Sequence, residues 1–267
     1  MTAEQNKELT ILFARLDDLC GAAMQGDLAA TSFLSPRELH FSGKYLSSRG
    51  MSSRFLSWGG YPDAERKRIF ILPDYIENVC EYGELSAYGF DDEFFAGVEV
   101  IGSGYRKLSH RDFLGSVLGL GLERSVVGDI VVYDEDKPRA VILCDKVVAA
   151  FICENLFKIG SDTVKVREVS LADIELPERR FLHIGDTVAS PRLDGVVSAL
   201  ISVSRERAKE IVADGAVELD YETCERPDKT VSDGSLLTVR GYGKFRINSL
   251  GDKTKKGRFR LDADKYV

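Results

Sequence analysis

Residues 190–219 read SPRLDGVVSALISVSRERAKEIVADGAVEL, and residues 231–241 read VSDGSLLTVRG. The first stretch has the pattern of two short helices. Its apolar residues recur at helical spacing in two groups, first Leu193, Val196, Val197 and Leu200, then Ala208, Ile211 and Val212. Ser190 and Ser204 are typical helix caps, Pro191 suits a first helical position, and Gly215 suits a helix end. The stretch therefore predicts a helix pair, a turn and a small sheet.

Basic residues are placed along this helix pair. Arg192 opens the first helix, while Arg205 and Lys209 lie one turn apart beside the apolar stripe of the second. A cation at a helix start does not favour the helix dipole, so its presence indicates a role other than helix stability. Phosphate binding is the role that this arrangement favours.

The order of these pieces resembles the small RNA-binding domain named after ribosomal protein S4. That domain has R-L-D, then S-R and an alanine on a second helix, then G-x-V and a closing strand. The matching pieces here are Arg192-Leu193-Asp194, Ser204-Arg205, Ala208, Gly215-Ala216-Val217 and residues 236–240. Two turns depart from the pattern, with Gly234-Ser235 for the usual Gly-Asp and Asp220-Tyr221 where Asn-Gly is often found. The resemblance implies that Arg192 and Arg205 grip RNA, with Ser204 beside them.

The composition is that of a globular protein. Of 267 residues, 44% are hydrophobic and 30% are charged. No apolar run approaches the roughly 18 residues that a membrane span needs, and the acidic, polar N-terminus lacks the pattern of a signal peptide. Five cysteines, never at C-x-x-C spacing, favour neither a disulfide framework nor a zinc site. We therefore expect a cytoplasmic protein with no metal, no cofactor and no membrane partner.

The net charge of −7 is spread unevenly. Residues 190–267 hold 15 Lys and Arg against 13 Asp and Glu. Between residues 239 and 260 only Asp252 faces a run of basic residues, namely Arg240, Lys244, Arg246, Lys253, Lys255, Lys256, Arg258 and Arg260. An acidic protein can in this way attract phosphate at one end. RNA contact is the favoured interpretation of the run, and a solvated, partly frayed tail is the alternative.

The first eighty residues predict a small mixed domain. Residues 3–22 predict a helix, Ser35 followed by Pro36 predicts the start of a second, and residues 69–72 predict a buried strand. Arg66, Lys67 and Arg68 form a compact basic cluster before that strand. A solvated face is the first interpretation of this cluster, and RNA contact is the second.

Residues 94–169 predict the order β-α-β-β-α-β of a ferredoxin-like sandwich, which is the framework of RRM domains. The strands are at 94–101, 129–133, 139–144 and 163–169, and the helices are at 109–120 and 146–157. The strand at 139–144 carries none of the aromatic residues with which RRM domains stack bases. The loop GSGYRKLSHRDF (102–113) instead offers Arg106, Lys107 and Arg111 beside a helix start, which suits phosphate. An ordinary strand–helix loop is an equal alternative.

The fold class predicted is α+β, with three domains. These are a mixed N-terminal domain (1–82), a ferredoxin-like or RRM-like βαββαβ domain (83–176) and an S4-like domain (177–267). Over nearly its full length the chain resembles the YlmH family of bacterial proteins, on this domain order and on the segments SHRDFLGSVLGLGLERSVVGDI (109–130) and RLDGVVSAL (192–200). The resemblance implies a cytoplasmic protein that binds ribosomal RNA of the large subunit and tRNA or peptidyl-tRNA in the rescue of stalled translation.

Two motifs suggest enzymes and are rejected. His183-Ile184-Gly185-Asp186 resembles the HIGH signature of class I aminoacyl-tRNA synthetases, but only 81 residues follow it, too few for that nucleotide-binding domain. The R-L-D triplet also occurs in pseudouridine synthases, but Asp194 lacks the T-S-G run that follows the nucleophile there. Capping, or pairing with a neighbouring arginine, is the favoured role for Asp194.

The resulting hypothesis is a non-enzymatic, monomeric RNA-binding protein. Arg192 and Arg205 contact phosphates, and further cations widen the contact, namely Lys209, Lys244, Arg246, Lys253, Lys255, Lys256 and Arg258. The alternatives are an RNA-modifying enzyme of the pseudouridine synthase kind and a cell-division adaptor, since the family has been linked to division. The hypothesis requires that the two guanidinium groups are not locked inside the protein by carboxylates.

Overall fold

The computed structural model describes residues 3–77, 79–88, 94–134, 138–171, 176–177, 180–251 and 253–267. The chain divides into two units, which we call the N-terminal unit (residues 6–178) and the C-terminal unit (residues 179–267, with residues 1–5). Each unit combines helices with antiparallel sheet, which confirms the α+β class. The three-domain division at 1–82, 83–176 and 177–267 stays a prediction.

Two helices and a three-stranded sheet begin the N-terminal unit. In chain order the elements are α1 (Ala3–Met24), β1 (Ala29–Ala30), α2 (Pro36–Ser48), β2 (Phe55–Trp58) and β3 (Arg68–Ile71), and the sheet order is β1-β3-β2. Ser35 caps α2 as predicted, because its hydroxyl accepts from the Glu38 amide and Glu38 accepts from the Ser35 amide. All of β3 is buried, which confirms the predicted strand.

A second sheet and two helices follow, after a 3-10 helix (Tyr82–Tyr88). The elements are β4 (Phe95–Ile101), α3 (His110–Leu118), β5 (Val127–Asp134), β6 (Arg139–Asp145), α4 (Lys146–Asn155), β7 (Lys158–Ile159), β8 (Asp162–Thr163) and β9 (Lys165–Val169). The antiparallel order β5-β6-β4-β9 is that of a βαββαβ sandwich. The helix predicted at 146–157 ends at Asn155, and Gly160 turns the short β7–β8 hairpin with a φ of 58°.

One face of this four-stranded sheet packs against α3 and α4, where Val98, Ile142 and Phe113 belong to a single buried cluster. The other face is covered only in part. There Leu143 is fully buried, and a Cβ atom on Gly128 would lie 2.7 Å from the ring of Phe33. The buried Glu99 lies on the same face, but its partners Arg139 and Arg167 are 52% and 67% exposed, so part of this face is open to solvent.

The basic cluster Arg66-Lys67-Arg68 lies against the protein interior, so its prediction as a solvated face is wrong. Arg66 donates to three carbonyl oxygens, those of Phe33, Arg124 and Val127. Arg68 is 8% exposed, forms a 3.0 Å ion pair with Asp145 and donates to two carbonyl oxygens, those of Thr31 and Phe94. Burial lowers the pKa of all three basic side chains. The cluster therefore joins the first sheet to the second.

The C-terminal unit packs two helices on one face of a six-stranded sheet. Its elements are β10 (Phe181–Val188), α5 (Leu193–Leu200), α6 (Arg205–Ala213), β11 (Val217–Leu219), β12 (Glu222–Thr223), β13 (Leu236–Val239), β14 (Gly243–Ser249) and β15 (Phe259–Tyr266). The antiparallel order is β10-β15-β14-β13-β11-β12. The predicted apolar residues of both helices are buried in the unit's core. Since residues 243–249 and 259–266 form strands, the alternative of a frayed basic tail is wrong for them.

The start of α5 differs from the prediction. Ser190 and Pro191 precede the helix instead of capping it, because they run alongside the segment 227–231. The Val231 amide donates to the Pro191 carbonyl, and Arg192 pairs with Thr230. The first amides of α5, those of Leu193 and Asp194, donate to the carbonyls of Lys229 and Pro227. Backbone carbonyls therefore replace the predicted side-chain cap.

The described residues include no helix that is long and apolar enough to span a membrane. All five cysteines are free thiols. Cys144 is fully buried, and burial raises the pKa of its thiol to about 12, so it stays protonated and unreactive at neutral pH.

We expect Arg68→Met to lower the free energy of unfolding of the N-terminal unit by about 3 kcal/mol, because it leaves Asp145 without its buried partner. Urea unfolding of the full chain, followed by the fluorescence of Trp58, measures the change. Arg111→Met removes an exposed arginine on α3 and should cost less than about 0.5 kcal/mol. Equal stability of the two variants would contradict the internal role of Arg68.

Gly128→Ala should destabilise the same unit by about 1–3 kcal/mol, because the new Cβ atom would press on the buried side chains of Phe33 and Leu143. Gly43→Ala in α2 is the matched control, since nothing lies within 4 Å of its added Cβ atom. Alanine is the better helix former, so this control should keep or raise stability, by up to about 1 kcal/mol. The same unfolding measurement compares the two variants. Unchanged stability in Gly128→Ala would refute the close approach of Gly128 to Phe33 and Leu143.

Candidate nucleic-acid interface

A buried carboxylate holds the two arginines that the sequence singled out. Arg192 is the N-cap residue of α5, and Arg205 is the first residue of α6. Both donate to Asp194, with an Arg192 Nη2–Oδ2 distance of 3.2 Å and an Arg205 Nη2–Oδ1 distance of 3.1 Å. The Asp194 side chain is 0% exposed, whereas those of Arg192 and Arg205 are 41% and 44% exposed. The predicted pairing of Asp194 with a neighbouring arginine is thus confirmed, with two partners.

This arrangement keeps Asp194 ionised. Burial alone would raise the pKa of its carboxyl group, but hydrogen bonds from Arg192 and Arg205 outweigh burial and hold that pKa below its usual value. The same hydrogen bond raises the pKa of Arg192. Two guanidinium charges share one carboxylate, so the cluster keeps an excess positive charge. Because each guanidinium is also half-exposed, an anion can still reach it.

Protein atoms accept hydrogen bonds from several amides at the two helix starts. Ser204 caps α6, as predicted, by accepting from the Arg207 amide at 3.2 Å. The Leu193 and Asp194 amides of α5 donate to backbone carbonyls. At the start of α5, anion binding therefore depends on the arginine side chains and not on these two amides.

A groove of about 500 Å³ brings Arg205 together with Arg258, which lies just before β15. Its walls are the end of β10 and the turn between α5 and α6. Arg258 is positioned by Thr187, to which its Nε donates at 2.9 Å and its Nη2 at 2.5 Å. Thr187 and Arg258 are 71 positions apart, and no local pattern in the sequence signals that they meet.

The other predicted cations lie in three places. Lys209 is exposed on α6, one turn beyond Arg205. Lys253, Lys255 and Lys256 are exposed in the connection between β14 and β15, whose Asp252 lies outside the described residues. Lys244 and Arg246 alternate along β14 with Phe245 and Ile247, which are buried under the helices, so they lie on the opposite face of the sheet. The structure therefore does not bring Lys244 and Arg246 together with Arg192 and Arg205.

The opposite face of the sheet is also less basic than the sequence suggested. Arg246 lies across from Asp264 in the strand register, and the Lys244 ammonium lies 4.9 Å from the ring centroid of Tyr266. Asn248 donates to both Asp262 and Asp264 at 2.9 Å. Carboxylates thus accompany these cations and weaken their attraction for phosphate.

The second predicted basic site, on the loop before α3, is built differently from expectation. Arg106 donates to the Ser161 hydroxyl, and Ser103 donates from its amide to Asp162 at 3.0 Å, so the β7–β8 hairpin holds the loop. Arg106, Lys107 and Arg111 are exposed. Asp112 accepts from both the amide and the hydroxyl of Ser109, and hydrogen bonding lowers its pKa. A carboxylate therefore occupies the helix start that was expected to suit phosphate.

Metal-binding geometry is absent from the described residues, where no group of three or more His, Cys, Asp and Glu side chains could hold an ion. His183 of the HIGH-like motif is exposed on β10, with its Nδ1 3.2 Å from Asp264.

We expect Asp194→Asn to lower the free energy of unfolding of the C-terminal unit by roughly 1–3 kcal/mol at pH 7, because two ion pairs to a buried carboxylate are lost. The loss is moderate because water can partly solvate the two half-exposed arginines. The pKa of the Asp194 carboxyl is lower in the folded protein than in the unfolded chain, where it is about 4. Ionised Asp194 therefore stabilises the wild type fully above about pH 4, and this stabilisation is lost as the pH falls through the pKa of the folded state. Urea unfolding followed by circular dichroism at several pH values measures both effects. A variant as stable as wild type at pH 7 would show that Asp194 does not organise the helix pair.

Two family models match the N-terminal unit, and neither reaches the C-terminal unit. They are described as "YlmH, N-terminal", over residues 12–76, and "Putative RNA-binding domain in YlmH", over residues 100–173. The second match contains the exposed loop cations at 106, 107 and 111.

One curated relative and one solved structure extend the comparison. "Ribosome-associated protein quality control protein P2" of Bacillus subtilis (strain 168) is 30% identical over 233 residues, which cover 86% of this chain and 84% of that protein. The solved structure "Cell division protein ylmH from Streptococcus pneumoniae" is 21% identical, covers 66% of this chain and 98% of its own, and has a TM-score of 0.49. Because both family models describe YlmH, and the curated relative is 30% identical over most of both chains, this chain belongs to the YlmH family.

Proposed function

We propose that this protein binds structured RNA through phosphate contacts made by the C-terminal unit, which acts as an S4-like domain. The RNA is ribosomal RNA of the large subunit together with tRNA or peptidyl-tRNA, and the setting is the rescue of stalled translation in the cytoplasm. One observation carries the proposal: two half-exposed arginines are held side by side by a buried carboxylate on adjoining helices. Such fixed guanidinium groups are suited to bidentate contacts with phosphate.

The placement of the S4-like pieces supports this assignment. The R-L-D and S-R segments meet through Asp194, and the G-x-V segment leads directly into β11. The turn at Asp220-Tyr221, which departs from the usual Asn-Gly, still has both residues in the left-handed region, with φ values of 51° and 66°. The geometry expected of an Asn-Gly turn is therefore kept with different residues.

The comparisons support RNA and the ribosome as partners. The family model over residues 100–173 is described as an RNA-binding domain, and the curated relative is named as a ribosome-associated quality control protein. We propose that Arg106, Lys107 and Arg111 supply a second, weaker RNA contact, because they are exposed on one loop and helix start within those residues. This contact is made to the phosphates of the RNA backbone, which basic side chains bind without reading the sequence.

We propose binding without catalysis. Asp194, the residue that a pseudouridine synthase would use as a nucleophile, has no exposed surface and is hydrogen-bonded to two arginines. A carboxylate in that state is unavailable to attack a substrate. The position of Asp194 instead explains how the side chains of Arg192 and Arg205 are oriented.

The proposal predicts a steep salt dependence. If about six phosphates are neutralised, the logarithm of the binding constant for large ribosomal subunits or tRNA should fall against the logarithm of salt concentration with a slope of roughly −4 to −5. The double variant Arg192→Gln, Arg205→Gln should lose at least about tenfold in affinity and make that slope shallower by about 1.5. Binding to purified subunits and to labelled tRNA, by sedimentation and fluorescence anisotropy, measures both.

The matched control is Arg246→Gln, which removes one exposed arginine from the opposite face of the sheet. It should keep affinity within about twofold, which is the scatter expected when no phosphate contact is lost. Circular dichroism checks that each variant is folded. Salt-independent binding, or full affinity in the folded double variant, would reject the proposed interface.

A further inference from the structure

The N-terminal unit contains a cavity that the proposed RNA interface does not use. Its volume is about 710 Å³, within the range of roughly 300–1,000 Å³ that small-molecule sites occupy. It lies between α1, the segment 30–38 that leads into α2, and two arginines, Arg66 and Arg124. Both apolar and charged residues line it.

One side of the cavity is apolar. Leu9, Ile11 and Leu12 of α1 line it, and Leu34 lines it from the segment before α2. Leu9, Leu12 and Leu34 belong to the buried core, whereas Ile11 is 49% exposed at the surface of the helix. A ligand can therefore place a flat or apolar body against α1.

The charged residues that line the cavity are four arginines and three acids. The arginines are Arg15, Arg37, Arg66 and Arg124, and within the described part of the chain none of them has a salt bridge to an acidic side chain. Glu38 also lines it, but its carboxylate accepts from both the amide and the hydroxyl of Ser35 at 2.7 Å. Glu8 and Asp18 are the other acidic residues there, both on α1.

Arg37 is the most unusual of these side chains. Its Nε and Nη2 atoms are buried, yet neither has a hydrogen-bond partner among the described residues. Leaving buried donors of a charged group unsatisfied is costly, so folded proteins rarely do so without a reason such as a missing ligand. Two of the three guanidinium nitrogen atoms of Arg37 have thus given up water without gaining an acceptor, although the residue as a whole is partly exposed and its guanidinium lies over the ring of Phe41.

The guanidinium group of Arg124 donates hydrogen bonds, but its positive charge has no salt bridge within the described part of the chain. It donates to the carbonyls of Val127 and Gly128, and it lies beside Arg66. Burial, and then repulsion from Arg66, lower its pKa to about 10, with only partial compensation from Asp129. An anion in the cavity would relieve this repulsion.

We propose that this cavity binds a nucleoside phosphate, with the phosphate held by Arg37 and Arg124 and the nucleoside placed against the apolar wall from α1. A phosphate monoester carries nearly two negative charges at neutral pH, which matches several guanidinium groups in one cavity better than the single charge of a carboxylate does. The ligand is either a free nucleotide or the phosphorylated end of an RNA chain. The inference is independent of the C-terminal unit and of the RNA interface proposed there.

Calorimetric titration of the full chain tests the ligand class. AMP and GMP should bind, and adenosine and inorganic phosphate should each bind at least about tenfold more weakly, because each lacks one half of the recognised chemistry. A 5′-phosphorylated trinucleotide that binds more tightly than AMP assigns the site to RNA ends, whereas equal or weaker binding assigns it to free nucleotides. Adenosine binding as tightly as AMP, or no binding of either nucleotide at millimolar concentration, overturns the proposal.

Arg37→Met tests the site, because methionine keeps contact with the ring of Phe41, which lies 5.4 Å from the Arg37 guanidinium. The variant should bind AMP about tenfold to a hundredfold more weakly, while its ligand-free melting temperature stays the same or rises, since two unsatisfied buried donors are removed. A structural role for Arg37 predicts the opposite change in melting temperature. Lys44→Gln, which removes an exposed cation of α2 outside the cavity, should bind AMP normally; loss of binding in this control, or its retention in Arg37→Met, overturns the proposal.

Discussion

The basic surface of the C-terminal unit depends on one buried carboxylate. Asp194 has no exposed surface and receives hydrogen bonds from two arginines that begin adjoining helices. Without that negative charge, two like charges would face each other where the helices meet. With it, both guanidinium groups are fixed before any ligand arrives, so less side-chain entropy is lost on binding.

The second sheet of the N-terminal unit also holds a buried carboxylate that binds two exposed arginines. Glu99 of β4 is 2% exposed and binds Arg139 and Arg167, whose side chains are 52% and 67% exposed. Hydrogen bonds from the two arginines again outweigh burial and hold the pKa of the Glu99 carboxyl below its usual value. A buried acid between two exposed bases is therefore a recurrent way in which this chain fixes arginines at its surface.

Sequence reasoning succeeded where the information is local. Helical periodicity located α5 and α6, and the Ser35 and Ser204 caps follow directly from residue type. The α+β class and the βαββαβ strand order follow from the alternation of such elements. The sequence did not reveal which residues far apart in the chain contact each other. Asp145 pairs with Arg68 from 77 positions away, and nothing in a run of three basic residues distinguishes an internal tie from a solvated face.

The same limit applied to the candidate sites. Arg192, Asp194 and Arg205 could be found because a short motif contains them. The groove beside Thr187 could not, because a threonine on a strand end carries no local signal. The positions of Lys244 and Arg246 also needed the structure, since only the burial of Phe245 and Ile247 shows which face of β14 meets the helices. The charge of a segment alone does not reveal which way its side chains point.

The topology of the C-terminal sheet has a consequence for protein synthesis. Residues 259–266 form β15, which lies between β10 and β14, and it pairs Tyr266 with Phe181, 85 positions earlier. Pairing between residues so far apart in the sequence is slow, because a long loop must lose its entropy before any stabilising contact forms. Until residues 259–266 have left the ribosome during synthesis, β10 has no neighbouring strand among the described elements and the sheet is incomplete. The six-stranded sheet of this unit is therefore completed only after β15 has emerged.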